Sequence, residues 1–160
     1  MAKLDIRAAR PGDEDLILML LTELADYEKL MHAFHITRDI IASDFMGANA
    51  KAVCEIAESE GEAAGIMIWT RSYATFAART TLYLEDLFVR PAFRGRGFGK
   101  ALLAHLAGRA VAEGAVRLDW AVLDWNKPSI EFYDSLGAEP VKGWLNYRIA
   151  GDALAKLAQG

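Results

Sequence analysis

The stretch Arg94-Gly95-Arg96-Gly97-Phe98-Gly99-Lys100 lies between a predicted strand and a predicted helix. Before it, the residues from Leu82 to Val89 alternate with the period of two that is typical of a strand. After it, apolar residues return every three or four positions from Ala101 to Ala110, and Gly114 ends this helical pattern. The glycines expose backbone N–H groups, while the helix N-terminus and three cationic side chains add positive charge. We therefore expect this loop to bind an anion such as a diphosphate.

The spacing of the glycines separates three kinds of glycine loop. A Walker A loop needs a glycine five residues before its Gly-Lys pair and Ser or Thr after it, but Arg94 and Ala101 stand there. A dinucleotide-binding Rossmann loop needs a third glycine three positions after the second, where this chain has Lys100. The remaining pattern is Arg-x-x-Gly-x-Gly, formed by Arg94, Gly97 and Gly99. An ordinary glycine-rich turn between a strand and a helix is the alternative.

Length and composition predict a single domain over residues 1–160, because 53% of the residues are hydrophobic and can fill one core. The only cysteine, Cys54, lies in an alternating run that is typical of a buried strand. His32, His35 and His105 are too dispersed to predict a metal site, so we expect none and place them on the surface. No segment is typical of a signal peptide or a membrane span, which predicts a cytoplasmic protein. The net charge of −4 argues against a nucleic-acid partner.

The other sequence patterns predict the element order β-α-α-β-β-β-α-β-α-β-α, an α/β (α+β) fold with helices on both faces of a mixed sheet. The predicted strands are about Leu4–Ala8, Lys51–Glu58, Ala63–Arg71, Thr80–Val89, Val116–Leu123 and Trp144–Ile149. The second, third and fourth strands should form an antiparallel meander. The predicted helices begin near Asp13, Thr37, Ala101, Pro128 and Asp152.

A second motif, Asn126-Lys127-Pro128-Ser129-Ile130-Glu131-Phe132-Tyr133, follows the glycine loop after one helix and one strand. The order and spacing of the two motifs resemble the GNAT N-acetyltransferase superfamily. In that family the glycine loop binds acyl-CoA, an asparagine after a strand holds the pantetheine arm, and a helical tyrosine approaches the thioester sulfur. Four further segments resemble the diamine (spermidine/spermine) and thialysine N-acetyltransferases, and the likeness runs from Asp5 to about Leu157. These segments are Leu24–Glu28, Leu82–Val89, Asp124–Asn126 and Gly143–Trp144.

The resemblance implies a GNAT-like, largely antiparallel sheet in an enzyme that moves an acetyl group from acetyl-CoA to a primary amine. The implied acceptor is a small molecule, either a diamine or an amino-acid-like amine such as thialysine, and the implied assembly is a homodimer. Lys142 stands where diamine acetyltransferases carry acidic residues, which favours an acceptor that bears a carboxylate. Acetylation of a peptide or protein amine, and acyl-CoA binding without catalysis, are the alternatives.

The resemblance also implies catalytic roles for two side chains. Tyr133 would return a proton to the departing thiolate, and its alternative role is packing against Phe132. Glu85 would contact the substrate and act as a base through water, and its alternative is a structural ion pair. Because Glu85 and Asp86 are consecutive in a strand, they should point to opposite faces.

The implied binding residues fall into two groups. If the strand bulges at Leu87–Val89 and separates from its neighbour, backbone N–H groups there would face the thioester. The predicted coenzyme-binding residues are Leu87, Phe88, Val89, Arg94, Gly95, Arg96, Gly97, Phe98, Gly99, Lys100, Asn126, Ser129 and Tyr133. The predicted substrate-binding residues are Tyr27, Glu28, Glu85, Asp86 and Trp144. A solvated helix end is the alternative for Tyr27 and Glu28, and a core position is the alternative for Trp144.

Overall fold

A five-stranded sheet organises the structure, a computed structural model that describes residues 3–160. The strands lie in chain order across the sheet, and they are β1 (Asp5–Ala8), β2 (Val53–Ser59), β3 (Glu62–Ala74), β4 (Arg79–Val89) and β5 (Leu118–Trp120). The first four strands are each antiparallel to the next, and β5 pairs with β4 in parallel. The predicted meander of β2, β3 and β4 is therefore confirmed.

Helices connect the strands and follow the sheet. They are α1 (Glu14–Tyr27), α2 (Arg38–Asp44), α3 (Phe98–Ala112), α4 (Lys127–Ser135) and α5 (Gly151–Leu157), with 3₁₀ turns at Met31–Ala33 and Pro91–Phe93. Thr37 caps α2 as predicted, because its hydroxyl oxygen accepts a hydrogen bond from the Ile40 N–H at 3.3 Å. Asp152 does not cap α5 as predicted; it lies in the first turn, and Ala150 is the N-cap.

The chain forms two compact units, one ending at Leu123 and one extending from Asp124 to Gly160. The sheet and the first three helices belong to the earlier unit, and α4 and α5 belong to the later one. The expectation that the whole chain forms one domain stays a prediction. Within residues 3–160, every helix is too short or too polar to cross a membrane.

The predicted last strand, Trp144–Ile149, is wrong, because this segment has no regular secondary structure. Its apolar side chains are exposed, with Trp144 at 78% and Tyr147 at 91% of full exposure. An alternating pattern becomes a strand only where a neighbouring strand accepts its hydrogen bonds, and no strand in the described residues 3–160 pairs with it. The predicted strand Val116–Leu123 is also shorter than expected and keeps only the three residues of β5.

Apolar side chains on one face of the sheet pack beneath α1 and α2. The strands contribute Cys54, Ile56, Ile66, Ile68 and Phe88 to this core, and the helices contribute Ile17, Leu20, Leu21, Leu24 and Ile41. Burial of each large aliphatic side chain stabilises the fold by about 1.5–3 kcal/mol. This core holds α1 against the strands that carry the candidate site.

A buried carboxylate fastens α3 to the opposite face of the sheet. Glu55 is only 4% exposed, and one of its oxygens accepts a hydrogen bond from Trp69 Nε1 at 2.9 Å. Its other oxygen lies 2.9 Å from Nε2 of His105 on α3. His105 was expected on the surface, but the structure gives it this buried partner. The Arg71 guanidinium covers the Trp69 ring at 4.8 Å from its centroid.

The strand β4 changes faces at a β-bulge. Ile68 and Trp69 on β3 pair with Asp86 and Leu84, so Glu85 is an extra residue without a partner on β3. Directly paired residues share a face, so Leu84 lies with Trp69 on the α3 side and Asp86 lies with Ile68 on the α1 side. A regular strand would place Leu84 and Asp86 on the same face. The bulge therefore directs the Asp86 carboxylate away from the α3 core.

We predict that Gly65→Ala lowers the free energy of unfolding by about 1–3 kcal/mol through overpacking. A Cβ atom at Gly65 on β3 would overlap the backbone carbonyl oxygen of Phe88 on β4. Urea denaturation measures the loss. The matched control is Gly108→Ala in α3, where an added Cβ meets no atom within 4 Å and alanine favours the helix by roughly 0.5–1 kcal/mol. Equal stability of the two variants would contradict the close approach of β3 and β4.

Candidate active site

The glycine loop presents open backbone at the start of α3. Gly95 and Gly97 have φ angles of 75° and 79°, in the left-handed region that favours glycine. Gly97 is the N-cap of α3, so it has no side chain that could occupy the first N–H groups of the helix. These N–H groups, together with the positive end of the helix dipole, suit an anion such as a diphosphate.

The cationic side chains of this loop differ in their surroundings. Arg94 donates a hydrogen bond from Nε to the Val89 carbonyl oxygen at 2.9 Å, and its guanidinium lies 4.8 Å from the centroid of the Tyr27 ring. Arg96 lies over the Phe93 ring at 5.2 Å and 3.9 Å from a Glu60 carboxylate oxygen. Arg94 therefore holds the start of the loop against β4 and α1, whereas the looser contacts of Arg96 leave its charge near the loop surface.

Aromatic side chains anchor both ends of the loop in the core. Phe98, the first residue of α3, is 4% exposed and stacks on Phe93 with ring centroids 6.4 Å apart. Phe88 on β4 is also 4% exposed and packs in the core beneath α1. Both residues are predicted coenzyme contacts, and this burial leaves only their backbone groups for such a role. Lys100, in contrast, is exposed on the first turn of α3.

One edge of β4 is unpaired next to the bulge. Pairing with β5 covers Leu82–Leu84 only, and in the described part of the chain the segment from Glu85 to Val89 pairs with strands on its β3 side alone. The backbone N–H groups at Leu87–Val89 were expected to face the thioester on the condition that β4 bulges there and separates from β5. Pairing with β5 does end before Leu87, but the register shift places the bulge at Glu85. The bulge lies earlier in β4 than Leu87 because the register between β3 and β4 sets its position, and the sequence of β4 alone does not specify that register.

A cavity of about 320 Å³, here called the α1 cavity, lies between α1, the segment before α2 and the strands β3 and β4. Its polar lining side chains are Glu28, His35 and Asp86. Its apolar lining consists of Leu21, Leu24, Ala25, Leu30, Ala33, Phe34, Ile36, Phe45 and Ile68. The cavity is thus an apolar space with two carboxylates, which suits a molecule with a positive end and a hydrocarbon chain.

The two carboxylates of the α1 cavity are destabilised in their charged form. Burial, with smaller contributions from the charges of Glu28 and Glu85, raises the pKa of Asp86 from 3.8 to about 6. Burial also raises the pKa of Glu28. Across residues 3–160, no hydrogen-bond donor or cation pairs with the Asp86 carboxylate. An ammonium group in the cavity would supply the missing positive charge.

The structure brings together only part of the predicted substrate set. Glu28 and Asp86 both line the α1 cavity. Tyr27 packs instead against the core and beneath Arg94, and Glu85 is exposed at the bulge. Trp144 is exposed and belongs to the unit that begins at Asp124, so it is not a core residue of a strand.

Sequence reasoning missed the segment Phe34-His35-Ile36, which lines the α1 cavity from the connection between α1 and α2. A local sign was present, because Phe34 and Ile36 are apolar although connecting segments usually run over the protein surface. Phe34 and Ile36 pack against the core beneath α1, and this packing fixes the segment at the cavity. The pattern spans too few residues to predict an element.

In the later unit, Asn126 has a capping role. It is 5% exposed, and its Oδ1 accepts a hydrogen bond from the Ser129 N–H at 3.4 Å at the start of α4. Tyr133 is half-buried on the same helix, and its ring centroid lies 5.4 Å from that of Phe132. Asn126, Ser129 and Tyr133 therefore lie on one short helix and its N-cap.

Known acetyltransferases are similar to this chain. The model of the Acetyltransferase (GNAT) family matches residues 18–138. The thialysine N-epsilon-acetyltransferase of Mus musculus is 36% identical over an alignment of 169 positions that covers 99% of each chain. An L-ornithine N5-acetyltransferase of Arabidopsis thaliana is 42% identical over 94 residues, covering 59% of this chain and 41% of that protein. In fold, an integron cassette protein from the mobile metagenome of V. cholerae matches with a TM-score of 0.81 at 24% identity, covering 98% of both chains.

We predict that Asp86→Asn stabilises the protein in a manner that depends on pH. Because folding raises the pKa of Asp86 from 3.8 to about 6, protonation of this carboxyl favours the folded state. Its contribution to the free energy of unfolding is complete below pH 3.8 and is lost as the pH rises through 6. The variant should therefore gain about 2 kcal/mol relative to the wild type between pH 4 and pH 7.5. Denaturant unfolding at both pH values measures this gain. A difference that does not vary with pH would contradict the burial of a charged Asp86.

Proposed function

The chain belongs to the GNAT acetyltransferase family, and on that premise we propose that it moves an acetyl group from acetyl-CoA to a small primary amine. The acceptor class that we propose is an amino acid with a side-chain amine, such as thialysine or ornithine. The carrying observation is the pair of carboxylates, Glu28 and Asp86, in an apolar cavity at the start of the unpaired edge of β4. The names of the similar proteins from Mus musculus and Arabidopsis thaliana support the same class.

The glycine loop is the proposed site for the diphosphate of acetyl-CoA. The left-handed backbone at Gly95 and Gly97 leaves the approach to the N-terminus of α3 free of side chains. Arg96 and Lys100 would add positive charge at the rim, and Gly99, which has no side chain, lies in the first turn of α3. Asn126 and Ser129 are proposed contacts of the pantetheine arm, as the family resemblance implies.

Glu28 and Asp86 are the proposed partners of the acceptor ammonium. The amine must lose a proton before its nitrogen can attack, and a base works best when its pKa lies near the working pH. Asp86, with a pKa of about 6, is closer to that condition than an ordinary carboxylate. Glu85, the base that the resemblance implies, is exposed one residue away and would pass the proton to solvent through water.

In the proposed reaction, the amine nitrogen bonds to the acetyl carbon and the carbon–sulfur bond breaks. Backbone N–H groups on the unpaired edge between Leu87 and Val89 would stabilise the negative charge that develops on the carbonyl oxygen. Tyr133 on α4 is the proposed donor of a proton to the departing thiolate, because its position matches the tyrosine of the family. The proton that the nitrogen loses as the amide forms would restore the phenol. No metal enters this scheme.

We also propose that the enzyme is a homodimer that works in the cytoplasm. Exposed apolar side chains of the later unit support a second chain as their cover. They are Val141, Trp144, Leu145, Tyr147 and Ile149. The proposed contact between Trp144 and the acceptor is part of this homodimer proposal. The single buried cysteine, Cys54, is consistent with a reducing compartment.

We predict that Gly97→Ala weakens the binding of CoA at least tenfold, because a methyl group would stand where the diphosphate approaches the backbone. Calorimetric titration with CoA measures the dissociation constant. The matched control is Gly114→Ala at the other end of α3, where φ is 68° and the backbone strain is similar. Unchanged CoA affinity in Gly97→Ala, or an equal loss in both variants, would contradict the assignment of the loop.

We predict that Tyr133→Phe lowers kcat about tenfold to several hundredfold and leaves the KM for acetyl-CoA within about twofold. The ring is retained and only the proton is lost. Release of the CoA thiol with ornithine or thialysine as acceptor measures both constants. An unaltered kcat and pH profile would mean that Tyr133 only packs against Phe132. Two results would contradict the proposed function. Release of CoA with peptide amines alone would favour a protein acetyltransferase, and a lack of release with every amine tested would favour a binding domain without catalysis.

A further inference from the structure

Among the described residues 3–160, a single side chain that lines the α1 cavity can carry a positive charge. That side chain is His35, and the other polar residues of the lining are Glu28 and Asp86. The three groups share one apolar space, so the lining offers two negative groups and one hydrogen-bond donor that can become positive. Neither the catalytic scheme nor the coenzyme site uses His35.

His35 is the most exposed of the three polar residues that line the α1 cavity. It is exposed to solvent, whereas Glu28 and Asp86 are half-buried. Its neighbours Phe34 and Ile36 pack against the core beneath α1, so the backbone on both sides of His35 is fixed. Among the polar lining residues, His35 is therefore on the more exposed side of the cavity, toward which the far end of a molecule would extend if its ammonium lay between the two carboxylates.

The chemistry of an amino-acid acceptor matches this arrangement. The reacting ammonium of ornithine or thialysine lies at one end of the molecule, a short hydrocarbon or thioether chain follows, and the carboxylate lies at the other end. The apolar lining suits the chain, and an imidazole N–H donates well to a carboxylate, most strongly when the ring is protonated. A diamine of the same length has no carboxylate for His35 to bind.

Resting on the proposed function, we infer that His35 is a specificity-determining residue that binds the carboxylate of an amino-acid acceptor. Glu28 and Asp86 bind the ammonium that is acetylated, and His35 selects acceptors by the group at their other end. Sequence analysis assigned the same preference to Lys142, which belongs to the unit that begins at Asp124. The two residues make separable contributions, which a substitution at each one distinguishes.

The test compares acceptors that differ only in the carboxylate. The kcat/KM of ornithine is divided by that of putrescine, and the kcat/KM of lysine by that of cadaverine, at saturating acetyl-CoA. We expect His35→Phe to lower both ratios about tenfold and His35→Lys to maintain or raise them. The matched control is His32→Phe, because His32 is exposed on the neighbouring 3₁₀ turn and is not part of the cavity lining. This control should leave both ratios unchanged.

Three results would overturn the inference. Ratios in His35→Phe within twofold of the wild type would show that another residue binds the carboxylate. Ratios that drop only in Lys142→Gln would show that this residue is Lys142. A wild-type preference for the diamine in both pairs would show that the carboxylate is not favoured. The failure of the proposed function is distinguishable, because the wild type would then acetylate none of these small amines while His35→Phe kept the same CoA affinity.

Discussion

The β-bulge at Glu85 is the constraint on which the site depends. One extra residue in β4 moves the following side chains to the other face of the sheet, so Asp86 enters the α1 cavity. In a regular strand the same carboxylate would lie beside Leu84 in the α3 core, where burial of an unpaired charge costs several kcal/mol. The bulge also marks the point at which pairing with β5 has ended. Five consecutive residues, Glu85 to Val89, thus serve both the proposed acceptor and the proposed thioester.

The donor loop and the acceptor cavity are linked through the end of α1. Arg94, the first residue of the loop motif, bonds to the Val89 carbonyl oxygen and stacks on Tyr27, the last residue of α1. Glu28, which lines the cavity, is the next residue along the chain. Sequence reasoning gave Arg94 to the diphosphate and Tyr27 to the amine. The structure shows that the two side chains also hold each other, which fixes the loop relative to the cavity.

Local patterns predicted much of the fold, and long-range pairing decided the rest. The meander, the helix after the glycine loop and the Thr37 cap depend on neighbouring residues, so the sequence was sufficient for them. The bulge depends on the register between β3 and β4, and an alternating stretch such as Leu82–Val89 contains no local sign of it. In the candidate site, Glu28 and Asp86 were predicted. His35 was not, because only the tertiary packing of its neighbours brings it to the cavity.

The buried carboxylate of Glu55 limits how this sequence can change. One oxygen accepts a hydrogen bond from Trp69 on β3, and the other lies near His105 and, at 3.9 Å, near Arg109 on α3. Replacing Trp69 or His105 alone therefore removes one of the few contacts of this buried carboxylate. Replacing Glu55 alone leaves an indole N–H without an acceptor in the core. Substitutions at these three positions are therefore energetically coupled and tolerated best when made together. Among descendants of this sequence, the residues at 55, 69 and 105 should covary although they are far apart in the chain.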